Sequence, residues 1–277
     1  MALDPLEHVL DHALAEGLPV TKYQVLSIAA AGLVAALLIG YARQIRHGQP
    51  PRGPLWNFLE MLLFFIRDEV VRPNIPEGHH DHHEGHAAEP HDPHATADRY
   101  LPFLWTLFFF ILMCNLLGMI PFLGAPTADL GVTLALAGMV FLIIHVSALI
   151  KNGPVGYVRS FIPVLKADNR IMNLFLAIVI TPMIAIIEVL GAFIRAAVLA
   201  IRLFANIFAG HVALGVILLF AVAVKDEAIH LFGAVSMATV LMGTALSVLE
   251  LFVAFLQAFV FVLLTSIFLG MQLNPEH

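Results

Sequence analysis

The sequence predicts an all-α polytopic membrane protein. Three observations carry that prediction. Hydrophobic residues make up 60% of the 277 and charged residues only 12%, about half the charged share of soluble domains. Apolar runs of 54 residues (Ile171 to Val224) and 45 residues (Ala228 to Gln272) hold four charges between them: Glu188, Arg195, Arg202 and Glu250. Ten of the 14 Lys and Arg fall into two connecting segments, as the positive-inside rule expects of cytoplasmic loops. The composition excludes a cytosolic globular enzyme and a disordered chain. A net charge of −6 with no basic patch excludes a nucleic-acid binder. The one cysteine, Cys114, lies in an apolar run, so neither a disulfide framework nor a thiolate metal site is expected. No cofactor or metal site is expected either.

Each element follows from charge and length. Residues 1–22 carry Asp4, Glu7, Asp11 and Glu16 against Lys22, the opposite of a basic leader, and are placed outside. Residues 23–42 are uncharged, about 30 Å as a helix, with Tyr23 and Tyr41 as interfacial anchors. Residues 54–71 mix apolar residues with Glu60, Arg67, Asp68 and Glu69 and read as an amphipathic interfacial helix. Residues 73–99 form a His-rich cytoplasmic loop. Residues 100–150 form a transmembrane hairpin, Tyr100 to Phe122 and Leu130 to Ile150, turning at the short GAPTAD segment. Residues 151–170 are a second basic cytoplasmic loop.

Residues 171–272 allow two readings. Four ordinary spans would need turn signals, and these are sparse: Pro182 and scattered glycines. Two helices of about 81 and 67 Å would far exceed a bilayer core of about 30 Å, so they must tilt strongly or kink. The sequence favours the long tilted hairpin, turning at Lys225-Asp226-Glu227, with the N-terminus outside and the C-terminus cytoplasmic.

Seven of the 14 histidines sit between His79 and His94. Their irregular spacing favours a low-complexity linker over a metal-buffering loop. A metal transporter would also need ligands within its spans, and His145 is the only histidine of the two central ones.

The intramembrane charges are the chemical signal. Each costs about 2.5–3.5 kcal/mol near a helix centre on insertion scales. Glu188, Arg195 and Arg202 are spaced by seven and so share a helical face, which Asn206 extends by one turn. His211, nine residues past Arg202, points to the opposite side. On the last run, Ser236, Thr239, Gly243, Ser247, Glu250, Ala254 and Gln257 form a stripe of small and polar residues. Such a stripe either packs closely on a neighbour or lines a hydrated path. Arg195 reads as a structural ion pair with Glu188 or as a snorkelling residue. Arg202 lies too deep for that, and an unpaired arginine there points to a carboxylate supplied by another chain.

The segment from Ala200 to His211 (AIRLFANIFAGH) closely resembles the signature of subunit a of F-type ATP synthases. The resemblance extends through Leu256 to Phe261, Asn115 to Pro121, Pro126 to Leu130 and Asp4 to His8. The His-rich loop is not part of the family's pattern. The resemblance implies two long helices lying nearly in the membrane plane, two offset proton half-channels, and a rotating c-subunit ring as partner. It also implies the peripheral-stalk b subunits and other ATP synthase subunits as partners, with lipid bilayer around the chain. Arg202 matches the family's essential arginine, facing the carboxylate of each c subunit. Glu188, Asn206 and Gln257 match polar positions of the motif, and Arg195 and Ser247 are auxiliary candidates. His211 and Glu250 match a pair of half-channel positions that hold Glu and His in many bacterial members; here the two are interchanged. Which of them carries the proton stays open, as does proton against sodium. No Walker-type glycine loop is present, so ATP chemistry would belong to partner subunits. The location implied is an energy-coupling membrane, the bacterial inner (plasma) membrane. A secondary cation/proton antiporter is the competing class, but such folds usually carry two related halves and no internal repeat is found. A purely structural subunit would not need three charges on one face.

Overall fold

The computed structural model describes residues 22–46, 53–75, 94–120, 125–160, 180–227 and 229–273. Among them the regular structure is entirely helical. The helices are α1 (Lys22–Ile45), α2 (Pro54–Phe65), α3 (Ala95–Gly118), α4 (Leu130–Ser160), α5 (Thr181–Glu227) and α6 (Ile229–Leu273). Five of them, all but α2, are long and apolar enough to cross a membrane. Residues 1–21, most of the His-rich segment, and residues 161–179 lie outside the described residues.

Helices α5 and α6 have 47 and 45 residues, about 70 and 68 Å. Two long helices, rather than four spans, therefore fill this part of the chain. Pro182 stands at the second position of α5, and the helix runs on past it. The interior glycines of α5 do not interrupt it, since glycine weakens a helix by only about 1 kcal/mol.

Helix α4 runs past the boundary that the charges suggested. It breaks at Gly153, whose φ of +70° is open to glycine, and Pro154 starts a further helical stretch to Ser160. Residues expected in the basic loop thus begin it as helix. Helix α3 starts five residues before Tyr100 and stops at Gly118, where Ala125 occupies the space of a Cβ.

The chain falls into two compact units. The first comprises Met1–Pro51, Thr106–Ala135 and Ala200–Phe261. Its buried polar pin is Asn115 on α3. Thr127 Oγ1 donates to Asn115 Oδ1 at 2.9 Å, and Asn115 Nδ2 donates to the Ala254 carbonyl at 3.2 Å. The 3₁₀ turn Pro126–Ala128 is buried, with Ala125 and Ala128 packed against Ile207, and α1 also rests on this turn.

The second unit comprises Arg52–Trp105, Leu136–Leu199 and Val262–His277. Here α2 widens into a π-helical turn, Ile66–Val71, and ends with Arg72–Asn74. A π turn displaces carbonyls from their usual amide partners, and in a bilayer those must be met from elsewhere. Trp105 Nε1 donates to the Leu63 carbonyl at 3.0 Å. Ser266 Oγ at 3.1 Å and Asn74 Nδ2 at 2.7 Å both donate to the Val70 carbonyl. The charges gather at this end of the helix. Arg72 grips Asp98 through two nitrogens, at 3.2 and 2.9 Å. The Arg67 guanidinium, 2.8 Å from Asp68, holds that carboxyl below its ordinary range.

Candidate functional site

Helix α5 carries Glu188, Arg195, Arg202, Asn206 and His211. Continuous helix puts the seven-residue steps at about 10.5 Å along the axis with about 20° of drift, so the first three share one side. Their surroundings differ. Glu188 is half-buried and makes no ion pair among the described residues, so it does not clamp Arg195. Arg195 is half-buried and lies over the Phe268 ring at 5.3 Å. Arg202 is exposed and makes no hydrogen bond, ring contact or ion pair among the described residues. It shares its side of α5 with the exposed apolar side chains Val198 and Ile201. A permanent positive charge on an apolar helical face asks for an anion, and the described part of this chain does not supply one.

The stripe on α6 is the inward face of that helix. Ser236, Thr239, Gly243 and Ser247 are half-buried; Glu250, Ala254 and Gln257 are buried. Ser247 is satisfied locally, its Oγ donating to the Gly243 carbonyl at 2.9 Å.

Glu250 meets α5 at Gly210. A Cβ placed there would lie 2.8 Å from Glu250 Oε1 and 3.1 Å from its Cδ, so the carboxyl occupies the room that glycine leaves. His211 is the next residue along. Three buried side-chain atoms in this unit have no hydrogen-bond partner among the described residues: His211 Nε2, Glu250 Oε1 and Gln257 Nε2. The fourth such atom is Gln272 Oε1, in the other unit. Buried polar atoms in native proteins are nearly always bonded, so each exception requires a reason. Ordinary mortar between helices would show completed bonds, as at Asn115 and Ser266. The arrangement instead suits groups that bond to something transient.

Sequence reasoning singled out Glu250, His211, Gln257 and Arg202, and missed Gly210, Asn115, Thr127 and Gln272 as contributors. Gly210 had a signal, an isolated glycine inside a helical run. Asn115 and Thr127 had a weaker one, being polar residues in apolar surroundings. That they bond to each other was not readable from their spacing.

Fold and site together define a class: a multi-pass helical membrane protein with ionisable groups placed along two long helices. The sequence model of the ATP synthase A chain family matches residues 81–270. The chain belongs to that family. It is 36% identical over 264 residues to ATP synthase subunit a of Myxococcus xanthus, covering 94% of this chain and 75% of that one. It is 35% identical over 252 residues to ATP synthase subunit a of Anaeromyxobacter dehalogenans, covering 90% and 57%. It is 32% identical to the corresponding Chloroherpeton thalassium protein, covering 92% and 67%. This chain thus spans between about half and three quarters of the relatives it matches. These relatives are bacterial, and the chain is a multi-pass protein of a bacterial membrane.

Proposed function

We propose that this chain is the proton-translocating stator subunit of an F-type ATP synthase, with Arg202 facing the carboxylates of a rotating c-subunit ring. The observation that carries the reading is the state of Arg202: a guanidinium with no partner among the described residues, on the exposed apolar face of a 47-residue helix. Family membership supports the same assignment, and the names of the relatives agree with it.

The chemistry follows from a charge that never titrates. A guanidinium close to a carboxyl favours its ionised form. A protonated carboxyl arriving opposite Arg202 is therefore driven to release its proton. It re-enters the apolar membrane only after taking a proton from the other side. The same fixed charge repels protons that would pass directly between the two sides. Each proton crossing contributes about 2.3 kcal/mol per 100 mV. Glu250, His211 and Gln257 serve one half-channel: their unpartnered buried atoms are the sites at which a proton or its carrier water is held and passed. Gly210 leaves the Glu250 carboxyl room to turn. Glu188 and Asn206, half-buried along α5, serve as polar positions beside Arg202.

The orientation proposed places the N-terminus outside and the C-terminus in the cytoplasm, with the stalk b subunits among the chain's partners. ATP is made or hydrolysed by partner subunits. The His-rich segment serves as a linker.

The test is ATP-driven acidification of inverted membrane vesicles carrying this chain beside Arg202→Ala and Arg202→Lys. The expected result is acidification with the parent and none with either variant, with the chain inserted and ATP hydrolysis by the detached catalytic sector unchanged. Normal acidification with Arg202→Ala would overturn the assignment.

A further inference from the structure

The proton path leaves three polar side chains of the second unit without a role: His145, Arg195 and Gln272. They come together around an open pocket between α4, α5 and α6. Most of its wall is apolar, including Phe141, Ile144, Ala196, Leu199, Phe268 and Met271. Phe193 and Met271, 58% and 57% exposed, flank it on the lipid-facing surface.

The polar groups are specific. Arg195 lies over the Phe268 ring at 5.3 Å, and no carboxylate pairs with it among the described residues. Its guanidinium passes close to Gly191, where a Cβ would lie 3.4 Å from Nη1. The guanidinium makes no ion pair among the described residues, so its donors are available to a ligand. His145 Nδ1 donates to the Phe141 carbonyl at 2.7 Å, because a carbonyl can only accept. That bond leaves Nε2 as the atom that can meet a ligand. The ring itself stacks on Phe141 at 3.9 Å. Gln272 is 8% exposed, and its buried Oε1 has no donor among the described residues. Its backbone is anchored, since Asn152 Nδ2 donates to the Gln272 carbonyl at 3.2 Å.

We propose that this pocket binds the headgroup of a phospholipid, with the phosphate on Arg195 and a headgroup N–H or O–H on Gln272 Oε1. A guanidinium offers paired donors to phosphate oxygens. An amide oxygen with no donor requires a hydrogen-bond donor on the same ligand. Phosphatidylethanolamine and phosphatidylglycerol carry both groups. Phosphatidylcholine carries the phosphate but has no N–H or O–H. Inorganic phosphate would leave the apolar wall and its flanking Phe193 and Met271 uncovered, whereas acyl chains cover them. The assignment needs only a chain embedded in a bilayer and stands apart from the proton-path reading.

The experiment is native mass spectrometry of the full chain, purified in mild detergent with the subunits that accompany it. Phosphatidylethanolamine, phosphatidylglycerol, phosphatidylcholine or inorganic phosphate is added back in turn. The expected result is one retained phosphatidylethanolamine or phosphatidylglycerol per chain, with phosphatidylcholine held about tenfold less well. Arg195→Gln should lower retention about tenfold or more, and Arg195→Lys should lower it less, because the charge remains while the fork is lost. Gln272→Leu should remove the preference over phosphatidylcholine without removing binding. If Arg195→Gln fails to assemble, Arg195→Lys and Gln272→Leu still decide the matter. Equal retention of all lipids by the parent and Gln272→Leu would overturn the headgroup assignment. Displacement of the lipid by millimolar phosphate would overturn the choice of a lipid, and unchanged retention in Arg195→Gln would overturn the site.

Discussion

The π turn of α2 and the stretch of α6 around Glu250 are both places where polar groups are buried among apolar helices, and they are handled in opposite ways. At and beside the π turn, carbonyls accept from side chains of other segments: Leu63 from Trp105, and Val70 from Ser266 as well as from Asn74. Around Glu250 the buried atoms Glu250 Oε1, His211 Nε2 and Gln257 Nε2 have no partner among the described residues. A completed bond between helices is worth about 0.6–2 kcal/mol in a membrane and holds the fold together. An incomplete one lowers stability and makes sense only where something else comes to complete it. On the function proposed above, the difference separates mortar from machinery within one chain.

The largest effect expected is at the most extreme case of an unmet group. Arg202→Ala should lower coupled proton transport about a thousandfold, the weight of a charge pair worth about 4 kcal/mol at 4 Å in a medium of effective dielectric 20. Vesicle acidification measures it, and a loss below tenfold would make Arg202 one more structural residue. Next come Glu250→Gln and His211→Ala, each expected to slow transport about 10- to 100-fold, the usual range for a positioned proton-transfer group. Full activity in the double alanine variant would remove both from the path and erase the contrast drawn above.

One substitution made in each region sharpens the comparison further. At Gly270 a Cβ would run into the Asn74 carbonyl, which is backbone and cannot yield. Gly270→Ala should cost about 1–3 kcal/mol of overpacking and appear as lost assembled complex in membranes. At Gly210 a Cβ would meet the Glu250 carboxyl, the far end of a flexible side chain. Gly210→Ala should therefore leave assembly intact, since alanine favours helix by about 0.8–1 kcal/mol, yet slow transport several-fold by turning Glu250 aside. Reversed outcomes, with transport hurt at Gly270 and assembly hurt at Gly210, would invert the assignment of the two regions. The smallest effect is expected for Ser266→Ala, about 0.6 kcal/mol of stability with transport unchanged, read by thermal denaturation of the assembled chain.

Much of this was legible from residues alone. Charge sparsity gave the membrane class, and run length gave two long helices, because a 47-residue apolar stretch with its one proline in the first turn has no place to fold back. The intramembrane charges named Arg202, Glu188, His211 and Glu250 because each costs several kcal/mol that only a role can justify. Helical periodicity named the α6 stripe, and burial of Glu250, Ala254 and Gln257 agrees with it. The end of α4 was less legible, since Lys151 and Arg159 look like loop residues by charge while Gly153 and Pro154 permit a bent helix to continue.

What the sequence determined by itself was therefore one-dimensional: class, helix lengths, the faces on which charges stand, and the family to which they belong. Tertiary structure alone decided which polar groups meet. Glu250 packs on Gly210 across 40 residues of chain, Asn115 joins Thr127 to Ala254, and Ser266 reaches Val70. The reason is physical. Periodicity and hydropathy are properties of a single helix and survive in isolation. A hydrogen bond between helices depends on register and rotation, which come from packing the whole. The same packing left Arg195 over an aromatic ring and Arg202 exposed, two arginines that a seven-residue spacing alone would have called equivalent.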